Sequence, residues 1–237
     1  MDDRPLSSSS GSSMSAYGDL DEPALLSVKF RLGYSTVSAI GDWNDSEHPN
    51  VLRLSILRNS FDHAIISFLP RLPLAIQTLV RSIFPGYFLP SRIILKKLKP
   101  NWDDEFNNEK RMYERLQVLQ GHLIPRCYGE ARCDNTRALV LSEIDGVEPF
   151  NQKSPYLQPD EFQRQLETAF GELGAFGLVY GDLKLDNFLI VEDRIVILDL
   201  ESVSEEKLDE IEYITWTHVA HLKRMYEGHV RGLSCDW

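Results

Sequence analysis

Side chains able to do chemistry are concentrated between Tyr180 and Glu201. The run Tyr180-Gly181-Asp182-Leu183-Lys184-Leu185-Asp186-Asn187 holds two carboxylates, an ammonium and an amide, and Leu198-Asp199-Leu200-Glu201 adds two more carboxylates shortly after. Carboxylate and amide oxygens suit a hard divalent cation. With a lysine beside them they suit phosphoryl transfer, which asks a protein for little covalent work. It requires a carboxylate near the attacking hydroxyl, ligands for a metal on the phosphates and positive charge on the migrating group. Each requirement has a candidate here. The competing reading is that Asp182, Asp186 and Asn187 form turns between a helix and a hairpin, and that Asp199 ends a strand.

The elements that must position these residues are legible on both sides. Gln158 to Gly174 reads as a helix, with Phe162, Leu166, Ala169 or Phe170, and Leu173 recurring at helical spacing. Phe188-Leu189-Ile190-Val191 and the run from Arg194 to Leu198 flank the two-residue link Glu192-Asp193, the pattern of a β-hairpin. Upstream, RIILKKL (92–98) lies between prolines and reads as a strand. Trp102 to Gln120 reads as a helix with Phe106, Met112 or Tyr113, Leu116, and Leu119 or Gln120 near one face, closed by Gly121. CYGEA and RALVLSEI form two short strands around the turn CDNT, and Asp145-Gly146 breaks the chain. A last helix runs from Glu205 to about Glu227, with acidic residues in its first turns.

The spacing D-x-K-x-x-N, a hairpin, then a second Asp resembles the catalytic loop and metal-binding segment of protein-kinase-like phosphotransferases. The resemblance implies an α+β, protein-kinase-like two-lobed fold with a small β-rich N-lobe and a shortened helical C-lobe, and ATP and Mg2+ as cofactors. It implies that Asp182 accepts or orients the proton of the substrate hydroxyl, Lys184 sits on the γ-phosphate, and Asn187 and Asp199 hold Mg2+. Ile94-Leu95-Lys96 is similar to the strand whose lysine holds the α- and β-phosphates. Glu109, in FNNEKRMYERL, is placed like its paired glutamate. The adjacent Lys97, on the opposite strand face, competes with Lys96, and for Glu109 the plain alternative is a solvated helix face with Glu105 and Lys110. ALVLSEIDG resembles the strand and hinge on which adenine rests, with backbone groups around Ser142, Glu143 and Ile144.

Four departures accompany the resemblance, which covers about residues 62 to 230. Where a glycine-rich loop would precede Lys96 the chain reads LPRLPLAIQ, so backbone N–H groups have no glycine-borne approach to phosphates there. Tyr180-Gly181-Asp182 replaces H-R-D, which removes the arginine that pairs with a phosphorylated activation loop. RIO-type and aminoglycoside phosphotransferase-like kinases are similar in having glycine there and are active. Asp199-Leu200-Glu201 replaces D-F-G, retaining the metal ligand and adding a charge. Only 38 residues follow Asp199, without an A-P-E motif, which fits a compact kinase-like protein of fungal type or a truncated chain.

The rest of the chain bounds these expectations. Its 237 residues allow one domain or a small two-lobed one, and 36 acidic against 25 basic side chains oppose wrapping around nucleic acid. Cys127, Cys133 and Cys235 form no C-x-x-C pair, so neither a disulfide framework nor a thiolate zinc site is indicated and an intracellular setting, cytoplasmic or nuclear, is expected. Residues 1–22 read as a disordered serine-rich tail. Residues 23–61 read as an extension of uncertain packing with short β-like runs (SVKFRL, TVSAI, VLRLSIL) around the turn-rich GDWNDSEHPN. The N-lobe is assigned to 62–145 and the C-lobe to 146–237. Residues 63–69 and 76–84 read as paired strands, the second equally as a short helix. The apolar window Ala64 to Pro90 is too broken by Arg and Pro to span a membrane. His218 and His221 read as a polar helix face. The expected activity is ATP- and Mg2+-dependent transfer of a phosphoryl group to a hydroxyl on a protein or small molecule. The alternatives are a pseudokinase scaffold and a small-metabolite kinase.

Overall fold

Alternating apolar and polar residues build strands β1 (Leu26–Leu32), β2 (Ser35–Trp43) and β3 (Val51–Leu57). Val28, Phe30 and Leu32 of β1 and Leu52 and Leu54 of β3 turn inward at every second position, as the pleat dictates. The computed structural model describes residues 26–43 and 48–232, so the serine-rich tail expected at 1–22 and Cys235 lie outside the described residues. After β3 come α1 (Ser60–Phe68), α2 (Leu74–Ile83), β4 (Arg92–Lys97), α3 (Asp103–Arg115), β5 (Cys127–Cys133) and β6 (Thr136–Ser142). They are followed by α4 (Pro159–Gly174), β7 (Leu178–Tyr180), β8 (Phe188–Val191), β9 (Arg194–Ile197), β10 (Val203–Glu205) and α5 (Leu208–Val230).

Six strands close into an antiparallel barrel in the order β1-β2-β3-β4-β6-β5. Pairing of Phe30 with Cys133 and of Leu32 with Ala131 joins the first strand to the last. Gly41 permits the tight β2–β3 approach, because a Cβ there would stand 1.9 Å from the Arg53 carbonyl oxygen. The β5–β6 link is Asp134-Asn135 with both residues at positive φ, the form that matches the strands' twist. Phe30, Leu54, Ile93, Leu95 and Val140 fill the barrel.

A second core joins α3, α4, α5 and the β8–β9 hairpin. Phe106, Met112 and Tyr113 of α3 meet Phe162, Leu166 and Phe170 of α4, and the Phe162 ring stacks on Tyr226 of α5 at 4.3 Å between centroids. Each helix gains its place by burying one apolar face, which contributes roughly 1.5–3 kcal/mol per large side chain. The molecule is therefore a mixed α/β structure with a strand-rich and a helical part.

Two expectations need correction. The segment 63–69 is not a strand but lies in α1 and the 3₁₀ turn that follows it, and 76–84 takes the helical alternative, in α2 and its C-terminal cap. Asn59 starts α1 with a capping box, its Oδ1 accepting from the Asp62 N–H while Asp62 accepts from the Asn59 N–H, and Pro73 precedes α2. Residues 26–57 also do not stand apart as an extension. Their three strands share one barrel with β4, so the sheet runs across the boundary drawn at residues 61 and 62. No helix among the described residues is long and apolar enough to cross a membrane.

Candidate active site

β4 delivers Lys96 into the space between the barrel and α3. Its Nζ lies 2.8 Å from Glu109 Oε2, 3.0 Å from Asp199 Oδ1 and 3.0 Å from Glu201 Oε1. Burial works to lower the lysine's pKa, but the three carboxylates outweigh it and hold Lys96 firmly protonated. Glu109, with no exposed surface, is pushed up to about 7 by burial against the pull of Lys96. Burial also acts to raise Asp199, yet Lys96 and the Glu201 N–H, which donates to Asp199 Oδ1 at 2.9 Å, bring it below the ordinary aspartate value. Lys97 leaves on the other strand face and pairs with the exposed Asp134 at 3.1 Å. Lys99 reaches Glu201 Oε2 at 3.2 Å, so Glu201 bridges two lysines. Asn108 of α3 donates to the Glu201 and Val203 carbonyls at 2.9 Å each, tying this segment to the helix that carries Glu109.

The loop after β7 is fixed from within. Asn187 Nδ2 donates to the Asp182 carbonyl at 3.1 Å and to Asp182 Oδ2 at 2.9 Å, and the Lys184 N–H donates to the Asp182 carbonyl at 2.9 Å. Lys184 Nζ stands 3.4 Å from Asp182 Oδ2 on a largely exposed side chain. Gly181 answers a local need: its N–H donates to the Ser202 carbonyl at 3.2 Å, and a Cβ there would lie 2.8 Å from that oxygen. Tyr180 is anchored among Phe170 and Phe188, and burial lowers the pKa of His218, which bonds the Tyr180 backbone from α5.

A cavity of about 350 Å³ opens between the two parts of the molecule. Val51, Ile94, Leu141, Val147, Leu189 and Leu198 give it apolar walls, and Lys96, Asp186, Asn187 and Asp199 form its polar end. Along the opposite edge run Ser142, Glu143 and Ile144. The Ser142 N–H donates to the Arg126 carbonyl and its Oγ accepts from the Arg126 N–H. The Glu143 and Ile144 backbones make no backbone hydrogen bond among the described residues. Glu143 is pinned through its carboxylate by Arg92 of β4 at 2.8 Å and Arg53 of β3 at 3.3 Å. Gly146 lets the chain pass the hairpin, since a Cβ there would lie 2.7 Å from Val191 Cγ2.

Residues singled out in the sequence thus fall into three neighbouring groups. Lys96, Glu109 and Asp199 meet directly, Asn187 and Asp199 face one cavity, and Asp182 and Lys184 sit together outside its lining. Sequence reasoning missed the contact of Glu201 with both lysines and the clamp of Arg53 and Arg92 on Glu143. It also missed His48, on the β2–β3 connection, at the cavity wall. That last omission had a readable signal. GDWNDSEHPN separates two strand-like runs in the manner of a loop between paired strands, whereas LPRLPLAIQ runs from the end of α1 into the start of α2.

No protein-family model matches the sequence, and no curated protein matches it. Among solved structures, the chain is similar to a single mutant of the Mycobacterium tuberculosis PknI kinase domain, with 14% sequence identity and a TM-score of 0.49 over 78% of this chain and 73% of that one. A double mutant of the same domain gives 13% identity and a TM-score of 0.48 over the same shares.

Proposed function

We propose that this chain has a protein-kinase-like two-lobed fold, binds ATP with Mg2+ in the 350 Å³ cavity and transfers the γ-phosphoryl group to a hydroxyl. The observation that carries the reading is the meeting of Lys96, Glu109 and Asp199 within 3.0 Å contacts at the polar end of an apolar cavity. The opposite edge of that cavity is unpaired backbone at Glu143 and Ile144, suited to the edge of a nucleobase.

The donor set fits the metal. With Asn187 Nδ2 engaged by Asp182, the Asn187 Oδ1 is left to act as a ligand, and Asp199 retains Oδ2 while Oδ1 serves Lys96 and Glu201. Bound Mg-ATP would supply the phosphoryl group and screen its charge. In this reading Lys96 would hold the α- and β-phosphates in place of carboxylate contacts, and Glu109 would keep it aimed. Asp182, oriented by Asn187, takes the hydroxyl proton, and Lys184 balances charge on the migrating group. Lys184 keeps 65% and Asp182 32% of its side-chain surface exposed, which favours a hydroxyl carried on a protein over an enclosed small metabolite.

One observation favours a second reading, a nucleotide-binding scaffold with little catalysis. Glu201 occupies Lys96 and must release it before phosphates take its place. The deciding experiment follows ADP release and phosphate incorporation into a mixture of Ser- and Thr-containing peptides, with Asp182→Asn as the control. Turnover that falls about 10²–10⁴-fold in the variant is expected for a general base. Turnover unchanged in the variant contradicts the role of Asp182, and nucleotide binding without turnover leaves the scaffold reading.

A further inference from the structure

A second cavity, of about 470 Å³, shares no lining residue with the first and has the opposite electrostatic character. Arg81 from α2 and Arg126 just before β5 line it, and no carboxylate does. Four other cavities of the fold each include at least one acidic side chain. In a chain of net charge −11, a concave wall with two arginines and no acid is a local inversion.

Neither guanidinium forms an ion pair among the described residues. Arg81 instead lies over the Phe88 ring, its guanidinium carbon 4.6 Å from the centroid. Arg126 folds across Gly121, where a Cβ would stand 2.6 Å from Nε and where the backbone, at φ +80, also favours glycine. Both cations are thus positioned, with no carboxylate paired to either among the described residues. Gln117 and Tyr128 add neutral donors, while Gln120 is engaged, donating to the Tyr113 carbonyl at 2.8 Å and accepting from the Cys127 N–H at 2.9 Å. The Cys127 thiol, pushed up to about 11 by burial, brings no negative charge.

We propose that this cavity binds a phosphate monoester dianion, gripped by Arg81 and Arg126. Planar guanidinium forks match phosphate oxygens two at a time, and a donor pair fixed beforehand loses little freedom on binding. The inference is independent of the nucleotide site and stands whether or not the chain transfers phosphate. The same dianion arrives either on a phosphorylated side chain or on a free metabolite.

Calorimetric titration of the full chain with inorganic phosphate and with N-acetyl-phosphoserine amide, at fixed ionic strength, tests it. Saturable binding is expected, weakened at least about tenfold by Arg126→Gln and by Arg81→Gln, both at exposed positions where folding is preserved. Gly121→Ala, which keeps the charge but displaces Arg126, weakens it as well. Phosphate held instead in the nucleotide cavity would depend on Lys96, so it would be lost in Lys96→Met and spared by the arginine substitutions, which separates the two sites. Tighter binding of the phosphoserine probe assigns the site to a phosphorylated side chain, and tighter binding of inorganic phosphate assigns it to a free ligand. Absence of saturable binding by either probe, or binding that survives both arginine substitutions, overturns the proposal.

Discussion

Replacing Lys96 by Met removes the only cation among the described residues in contact with Glu109 and leaves Glu109, Asp199 and Glu201 with ligand atoms within 4.8 Å of one another. Breaking a buried pair by deleting one partner costs roughly 3–5 kcal/mol. Asp199 and Glu201 keep 23% and 12% side-chain exposure and Lys99 still reaches Glu201, so the lower end applies, about 3 kcal/mol at pH 8. The loss must depend on pH. Glu109 has a folded-state pKa raised from 4.5 to about 7, so its contribution is fully present below 4.5 and is lost as pH rises through about 7. Without Lys96 that pKa rises further, so the deficit of the variant widens above pH 7 and shrinks toward pH 5. Urea unfolding at pH 5 and pH 8, compared at equal m-values, measures both quantities. The double variant Lys96→Met/Glu109→Gln, which removes the stranded charge, is expected to recover at least half of the pH 8 loss. A deficit below about 1 kcal/mol at pH 8, or an equal deficit at both pH values, refutes the reasoning.

Two further outcomes follow from the same geometry. Glu201→Gln removes one of the three carboxylates on Lys96, and a unit charge at 4 Å is worth about 4 kcal/mol at an effective dielectric of 20. Sharing with Lys99 and partial solvation reduce this to about 1.4 kcal/mol, so calorimetry should find metal-free ATP binding about tenfold tighter in the variant. Unchanged or weaker binding contradicts the competition. Gly181→Ala forces a Cβ to 2.8 Å from the Ser202 carbonyl oxygen and should destabilise the chain by about 1–3 kcal/mol while lowering turnover. A thermal melt and activity equal to the parent would show that the loop needs no glycine there.

How far the sequence carries the structure differs by element. Helix α4 is legible because its apolar residues recur at 3.6-residue spacing over four turns, and observed and expected spans differ by one residue. The β8–β9 hairpin is legible from its two-residue link, where Glu192 takes a positive φ. Helix α3 is shorter than expected because the chain tightens into a 3₁₀ turn at Gln117–Leu119. α1 departs from the expected strand, and α2 takes the helical one of its two readings, because short apolar runs fit either period, although Asn59 three residues before Asp62 carries the helix-start signal. Barrel closure is not legible, since it rests on β1 meeting β5 about a hundred residues away. In the site, the pleat of β4 separates Lys96 from Lys97, a distinction the alternation of a strand supplies in advance. The contacts of Glu201 and the Glu143 clamp depend on which surfaces pack together, and no local pattern encodes them.

The central claim, a nucleotide and metal site around Lys96, Asn187 and Asp199, is tested most directly by thermal shift. Melting of the full chain and of Asp199→Ala is followed at millimolar ATP with and without Mg2+, because a ligand selective for the native state raises stability by mass action. The account expects a Mg2+-dependent rise in Tm in the parent that Asp199→Ala abolishes. A folded parent whose Tm does not move, or a rise of equal size in Asp199→Ala, contradicts it.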